Sequence, residues 1–192
     1  QYMVLPRMAA LAEVQWMQPE KKNYDAFLKR LLPMMERYSY HNYRYARHLF
    51  DITADFKPNA ANGTLDIAFS TIDNAPIHYT LDGSEPTKSS PVYTPLLQLN
   101  KDAEVSAVVI RGNEKSRVLT ERVALSKASL KPIKALQPIN RQYRYNGASV
   151  LVDGLRGNAN YKTGRWIAFA GNDMEVVIDF EEPTELSHAS IT

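Results

Sequence analysis

The chain has 192 residues, 44% of them hydrophobic and 23% charged, with a formal net charge of +2. This composition excludes a disordered or collagen-like chain, and the length suits one or two domains with a real core. So small a net charge argues for neither a nucleic-acid nor a membrane partner, and the absence of cysteine excludes disulfides, thiolate zinc sites and thiol nucleophiles.

No apolar run reaches the roughly 18 to 20 residues that span a bilayer. The first residue is Gln1 rather than methionine, and no signal-peptide pattern opens the chain, which suggests a piece processed or excised from something longer.

Over residues 2–16 the apolar side chains Met3, Val4, Leu5, Met8, Ala9, Leu11, Ala12, Val14 and Trp16 surround almost the whole helical wheel, which predicts a buried helix. Gln18, Pro19 and Glu20 end it. A second helix follows, with Tyr24, Phe27, Leu28, Leu31 and Met35 at three- and four-residue spacing. Pro33 is expected to kink it or restart it, the restart placing the proline in a first turn where its missing N–H costs nothing.

Beyond residue 50 the apolar period drops to two. The stretches TLDIAFST at 64–71, PIHYTL at 76–81, EVSAVVIRG at 104–112 and SRVLTERVAL at 116–125 alternate as strands between turn-forming clusters. Such short, regularly spaced strands predict a small antiparallel sandwich. Residues 126–146 are weakly periodic, carry Pro132 and Pro138, and suit a linker with a lead-in strand. ASVLVDGLRG at 148–157 and DMEVVIDFEEP at 173–183 are predicted as strands of a second β unit, too few to close a sandwich.

The stretch YTLDGSEPTKSSPVYT at 79–94 contains Asp82 and Glu85, the most tempting acid/base pair in the chain. Asp82-Gly83 is a strong turn dipeptide, since glycine accepts positive φ without steric cost and an aspartate can hydrogen-bond the backbone beyond it. A glycosidase pair needs carboxylates about 5 to 9.5 Å apart across a cleft, one of them raised in pKa by burial. A turn role is therefore expected.

The same stretch resembles the signature of the small β-sandwich at the C-terminal end of bacterial chitobiases and β-N-acetylhexosaminidases. Upstream, YMVLPRMAALAEVQW at 2–16 resembles the last barrel helix of glycoside hydrolase family twenty, and YDAFLKRLLPMMERY at 24–38 with Asn42, Tyr43 and Arg44 resembles the segment leaving that barrel. Downstream, LVDGLRGNANYKTGRWIAFAGNDMEVVIDF at 151–180 is similar to the first part of a discoidin-like sandwich, a fold often used for carbohydrate binding.

The resemblance implies an α+β chain in three parts. Residues 1–49 are the closing helices of a (β/α)8 barrel, 50–126 an immunoglobulin-like antiparallel β-sandwich, and 127–192 a linker with an incomplete discoidin-like, jelly-roll β unit. The family hydrolyses terminal N-acetylhexosamine with the sugar's own acetamido oxygen as nucleophile, helped by an adjacent Asp-Glu pair. No position here matches that pair, so the resemblance implies a non-catalytic C-terminal portion with no catalytic residue, no cofactor and no metal. Its bacterial parent is expected in the periplasm, on the outer surface or secreted. The alternative is a stand-alone carbohydrate-binding or adhesion protein in which the helices are a spacer.

Tyr161, Arg165 and Trp166 are the candidate carbohydrate site, two rings to stack on a sugar and a guanidinium to donate hydrogen bonds; for Trp166 a core role is also open. Asp153 is one carboxylate, far short of the six to eight oxygens calcium takes. His41, His48, His78 and His188 lack metal-ligand spacing. Glu13 is expected in a salt bridge with an arginine such as Arg7, and the tyrosine-arginine run at 38–48 in an interdomain clamp. Asn62-Gly63-Thr64 matches the glycosylation acceptor pattern, but a turn is preferred. The expected partners are a glycan, the missing barrel and, through helices that fold back on the first β unit or pair with a second copy, another molecule of the chain; neither nucleic acid nor a membrane span is expected.

Overall fold

The computed structural model describes residues 2–112, 114–160 and 163–190, an α+β arrangement of two helices and several antiparallel sheets with no closed barrel. Helix α1 spans Val4–Trp16 and helix α2 spans Tyr24–Tyr40, joined through a 3-10 turn at Pro19–Lys21. Asn23 starts α2 by accepting the Ala26 amide at 2.9 Å, which satisfies one of the N–H groups left unpaired at a helix start. Pro33 neither restarts nor interrupts α2. The proline and Lys29, whose carbonyl loses its N–H partner, are both exposed, so water satisfies the gap. Two residues either side, Leu31 and Met35 are buried with Tyr45 and hold the helix together across it.

The first helix corrects an expectation. Leu5 and Ala9 pack against the cluster around Leu31, Met35 and Tyr45, yet no residue of α1 is fully buried. Met8 and Leu11 each stay 56% exposed and Trp16 89%, so α1 does not fold its outer side back onto the sheets. Nearly all-round hydrophobicity reports a demand for neighbours, and α2 supplies one side only.

The strands follow as β1 (Thr53–Asn59), β2 (Thr64–Ser70), β3 (Ile77–Thr80), β4 (Leu97–Leu99), β5 (Ala103–Arg111), β6 (Glu114–Lys115) and β7 (Leu119–Val123). One sheet has the order β1-β2-β4; in the other, β5 pairs with β3, β6 and β7. Every pairing is antiparallel. Leu65, Ile67 and Phe69 alternate inward along β2 and meet Val105, Ala107 and Val109 of β5 in one apolar cluster shared by both sheets. The alternation marked β2, β3, β5 and β7 in the sequence. It did not mark β1, where Lys57 and Pro58 hide the pattern; Pro58 is tolerated because β1 lies at a sheet edge.

In the last third, β8 (Ile133–Ala135) pairs with β9 (Val176–Ile178). These fall in the expected lead-in strand and in the stretch at 173–183. The stretch at 148–157 is a correction: Gly147–Val152 forms a 3-10 helix, entered through positive φ at Tyr145 and Gly147. A short apolar run such as Val150-Leu151-Val152 suits strand or helix equally by periodicity, and in the helix Val152 is buried. The chain then returns to the first β unit, with Ala124 N–H donating to the Gly154 carbonyl at 2.9 Å and Leu130 N–H to that of Val152 at 2.8 Å.

Candidate functional site

The 79–94 loop is held as a turn. Asp82 Oδ1 accepts both the Ser84 hydroxyl at 2.6 Å and the Ser84 amide at 3.0 Å, and these two donors hold its carboxyl below the usual carboxylate range. Gly83 adopts φ +80°, and its amide donates to the Glu104 carbonyl at 2.8 Å. A Cβ at that position would lie 2.5 Å from Glu104 Oε2, which the exposed glutamate can swing aside, and 3.2 Å from Glu104 Cβ, so the positive φ is the stronger demand for glycine. Glu85 turns away to Lys115 at 2.7 Å. An exposed carboxylate held low in pKa and a second one engaged by lysine do not make a general acid and its base.

The junction between the first β unit and the last third brings charged side chains into the interior. Arg165 is only 13% exposed at its side chain and bonds Glu121 of β7 at 3.0 Å. Its guanidinium lies 4.8 Å from the ring centroid of Phe56 on β1, an arginine-on-aromatic contact. Asp153, 5% exposed, accepts the Leu155 amide at 2.8 Å. Burial pushes its carboxyl up to about 6, against the downward pull of the Leu155 amide and the Arg165 charge. A carboxyl this high beside a second carboxylate has the electrostatics of an acid/base site. Its access to solvent is small, because Asp153 is 5% exposed and the Arg165 side chain 13%.

Of the sugar-platform residues, Arg165 is thus directed into the fold. Trp166 is partly exposed, donates its indole N–H to the Asn158 carbonyl at 2.9 Å, and lies so close over Gly157 that a Cβ there would come within 2.6 Å of the ring. Tyr161 lies outside the described residues. The structure therefore turns Arg165 into the fold and leaves Trp166 exposed with its indole N–H bonded to Asn158, and the partners that engage them, Glu121, Phe56 and Asn158, carry no sequence pattern that would have paired them.

A cleft of about 1030 Å³ lies between the start of α1 and residues 42–47, lined by Tyr2, Leu5, Tyr43, Arg44, Tyr45 and Arg47 among others. Among the described residues that line it there is no carboxylate. The tyrosine-arginine run is partly the expected clamp: Tyr45 is buried, its hydroxyl 2.7 Å from Ser39 Oγ, and Arg47 reaches Glu114 of β6 at 3.0 Å. Two smaller clefts flank α1. Glu13 bridges to Arg30 on α2 rather than to Arg7, and Asn62-Gly63 sits in the turn between β1 and β2. Among the described residues no group of three or more metal-ligating side chains is placed to hold an ion, and no helix is long and apolar enough to cross a membrane.

Comparison with known proteins gives one class. The family model described as Fn3 associated matches residues 65–123, the segment from β2 through β7, and that domain is found in glycoside hydrolase-related proteins. No curated protein matches the chain.

Proposed function

We propose that this chain is the non-catalytic C-terminal portion of a β-N-acetylhexosaminidase-like glycoside hydrolase. Residues 1–49 close the catalytic barrel, 50–126 form an immunoglobulin-like accessory sandwich, and 127–192 begin a discoidin-like unit. The parent releases terminal N-acetylhexosamine by substrate-assisted hydrolysis, outside the bacterial cytoplasm. The observation carrying this reading is the juxtaposition of an Fn3-associated segment with an α1 whose outer apolar side has nothing packed on it, the condition of a helix whose partner is another domain. Asp82 and Glu85 do not compete with it as an acid/base pair, since they belong to a turn. The junction of Arg165 with Glu121 and Phe56 supports a supporting role for the last third and leaves little of Arg165 for a sugar.

The test is assay of this chain on a chromogenic N-acetyl-β-glucosaminide. No turnover above the buffer blank is expected, and turnover lost in Asp82→Asn or Glu85→Gln would overturn the assignment. The gene upstream of Gln1 supplies a second check, because a reading frame without a barrel bearing an adjacent Asp-Glu pair removes the parent enzyme altogether.

A further inference from the structure

Four of the eight glycines follow an aspartate or asparagine: Asn62-Gly63, Asp82-Gly83, Asn146-Gly147 and Asp153-Gly154. Such steps share one chemistry. The glycine amide nitrogen, freed of its proton, attacks the side-chain carbonyl carbon of the residue before it; a five-membered succinimide closes, ammonia leaves from asparagine or water from aspartic acid, and hydrolysis then opens the ring to aspartate or isoaspartate. Glycine is the favourable follower because no Cβ shields its nitrogen. The reaction needs only water, a free amide and a side chain able to swing onto it.

The fold withholds those conditions from three of the four steps. Gly83 N–H donates to the Glu104 carbonyl at 2.8 Å, and Asp82 Oδ1 is held by Ser84. Gly147 N–H donates to the Arg144 carbonyl at 2.6 Å, while the Asn146 carbonyl accepts the Ser149 hydroxyl at 2.8 Å, so that peptide is clamped on both sides. Asp153 is buried, and its Oδ1 accepts the Leu155 amide at 2.8 Å.

Asn62-Gly63 has none of these restraints. Both residues are exposed in the turn between β1 and β2, Gly63 has φ +62° with nothing within 4 Å of where a Cβ would stand, and among the described residues its N–H has no hydrogen-bond partner. Among the described residues the Asn62 side chain has no hydrogen-bond partner, while its backbone amide is held by Asn59 at 3.2 and 3.3 Å. We propose that Asn62-Gly63 is a self-modification site, at which folded chain converts Asn62 to isoaspartate and aspartate while its other asparagine-glycine step is protected.

The consequence falls on a defined network. Asn59, which braces the Asn62 amide, donates through Nδ2 to Asp66 at 2.9 Å, and Asp66 also accepts Thr64 Oγ1 and Gln98 Nε2 at 2.8 Å each. Conversion adds a negative charge to the turn that Asn59 ties to this carboxylate, and isoaspartate adds a methylene to the turn backbone, so the β1-β2 hairpin is where the aged chain loosens.

The experiment is incubation of the purified chain at mildly alkaline pH, followed by peptide mapping with mass spectrometry and isoaspartyl-methyltransferase labelling. Asn62 is expected to convert about tenfold faster than Asn146 in folded protein, the size of effect that one net hydrogen bond sets. In concentrated urea the two rates should converge, which makes the second step an internal control for chemistry without structure. Equal rates in the folded chain, or an Asn62 that converts only in urea, would overturn the proposal. Asn62→Gln should leave no labelled product in the hairpin peptide; label remaining there would assign the reaction to another residue.

Discussion

Arg111 and Asp73 meet through two parallel hydrogen bonds, Nε to Oδ2 at 2.8 Å and Nη2 to Oδ1 at 2.7 Å. The same guanidinium lies 5.1 Å from the Phe50 ring and donates to the Phe50 carbonyl at 3.4 Å, so one residue of β5 fastens the end of the helical unit to the sheets. Burial pushes the Asp73 carboxyl up, but the Arg111 hydrogen bonds and charge outweigh it and hold the group below its ordinary value. A lowered folded pKa means stability that is present above the unfolded value and lost as pH falls through the folded one. Asp73→Asn should cost about 1–3 kcal/mol in urea denaturation at neutral pH, with the deficit shrinking in strong acid. Arg111→Lys should lose a similar amount, since an ammonium cannot reproduce the fork. An Asp73→Asn chain as stable as its parent at neutral pH would contradict this anchoring role.

Asp153 has the opposite sign. Its folded pKa is raised from 3.8 to about 6, so the folded chain keeps a proton that the unfolded chain has released, and stability falls as pH rises across that window. The shift corresponds to about 3 kcal/mol at most. Asn in its place can still accept the Leu155 amide. Asp153→Asn should therefore gain on the parent between about pH 4 and pH 6 and hold that gain above it; parallel stability curves for the two chains would refute the prediction.

Removing Arg165 should leave Glu121 without its ion pair and Phe56 without its cover, at a cost of about 1–3 kcal/mol. The measurement is urea unfolding followed by Trp166 fluorescence, because Trp166 is the neighbouring residue and reports on the junction. Arg165→Ala and Glu121→Ala should each destabilise, and their double variant should cost less than the sum. Strict additivity would show that the 3.0 Å contact between them carries no coupling.

Gly83→Ala forces a side chain into φ +80° and against Glu104, and should destabilise by about 1–2 kcal/mol through the left-handed backbone alone. Gly63→Ala is the control: the same backbone penalty applies, but nothing lies within 4 Å of its Cβ. Circular dichroism melting of both chains checks it, with Gly83→Ala expected to melt lower.

The outer side of α1, where Met8 and Leu11 are each 56% exposed, should bind a hydrophobic dye and draw the chain into concentration-dependent association. Light scattering over a dilution series should register mass above one chain, and Met8→Lys with Leu11→Lys should return it to a monomer. Dye-free, monomeric parent protein would show that this surface needs no partner.

Local chemistry was legible in the sequence. Alternation along 64–71 marked β2 because one face of that strand is buried and the other is not, whereas β5, also legible as an apolar run at 104–112, is buried on both faces over Val105–Val109. Asp82-Gly83 and Asn62-Gly63 were readable as turns because a glycine at positive φ is a property of a few adjacent residues. What the sequence could not decide is what happens where the outcome depends on a distant partner. The strand β1 is set by pairing Phe56 with Ile67, not by its own pattern; residues 147–152 form a 3-10 helix with Val152 buried, which their short apolar run did not distinguish from a strand. Glu13 selects Arg30 over Arg7, and Arg165 selects Glu121 and Phe56 over solvent, because only folding brings those groups within a few ångströms. Composition, period and turn chemistry act over a handful of residues, whereas ion pairs, buried carboxyls and the exposure of α1 are decided by which surfaces the chain brings together.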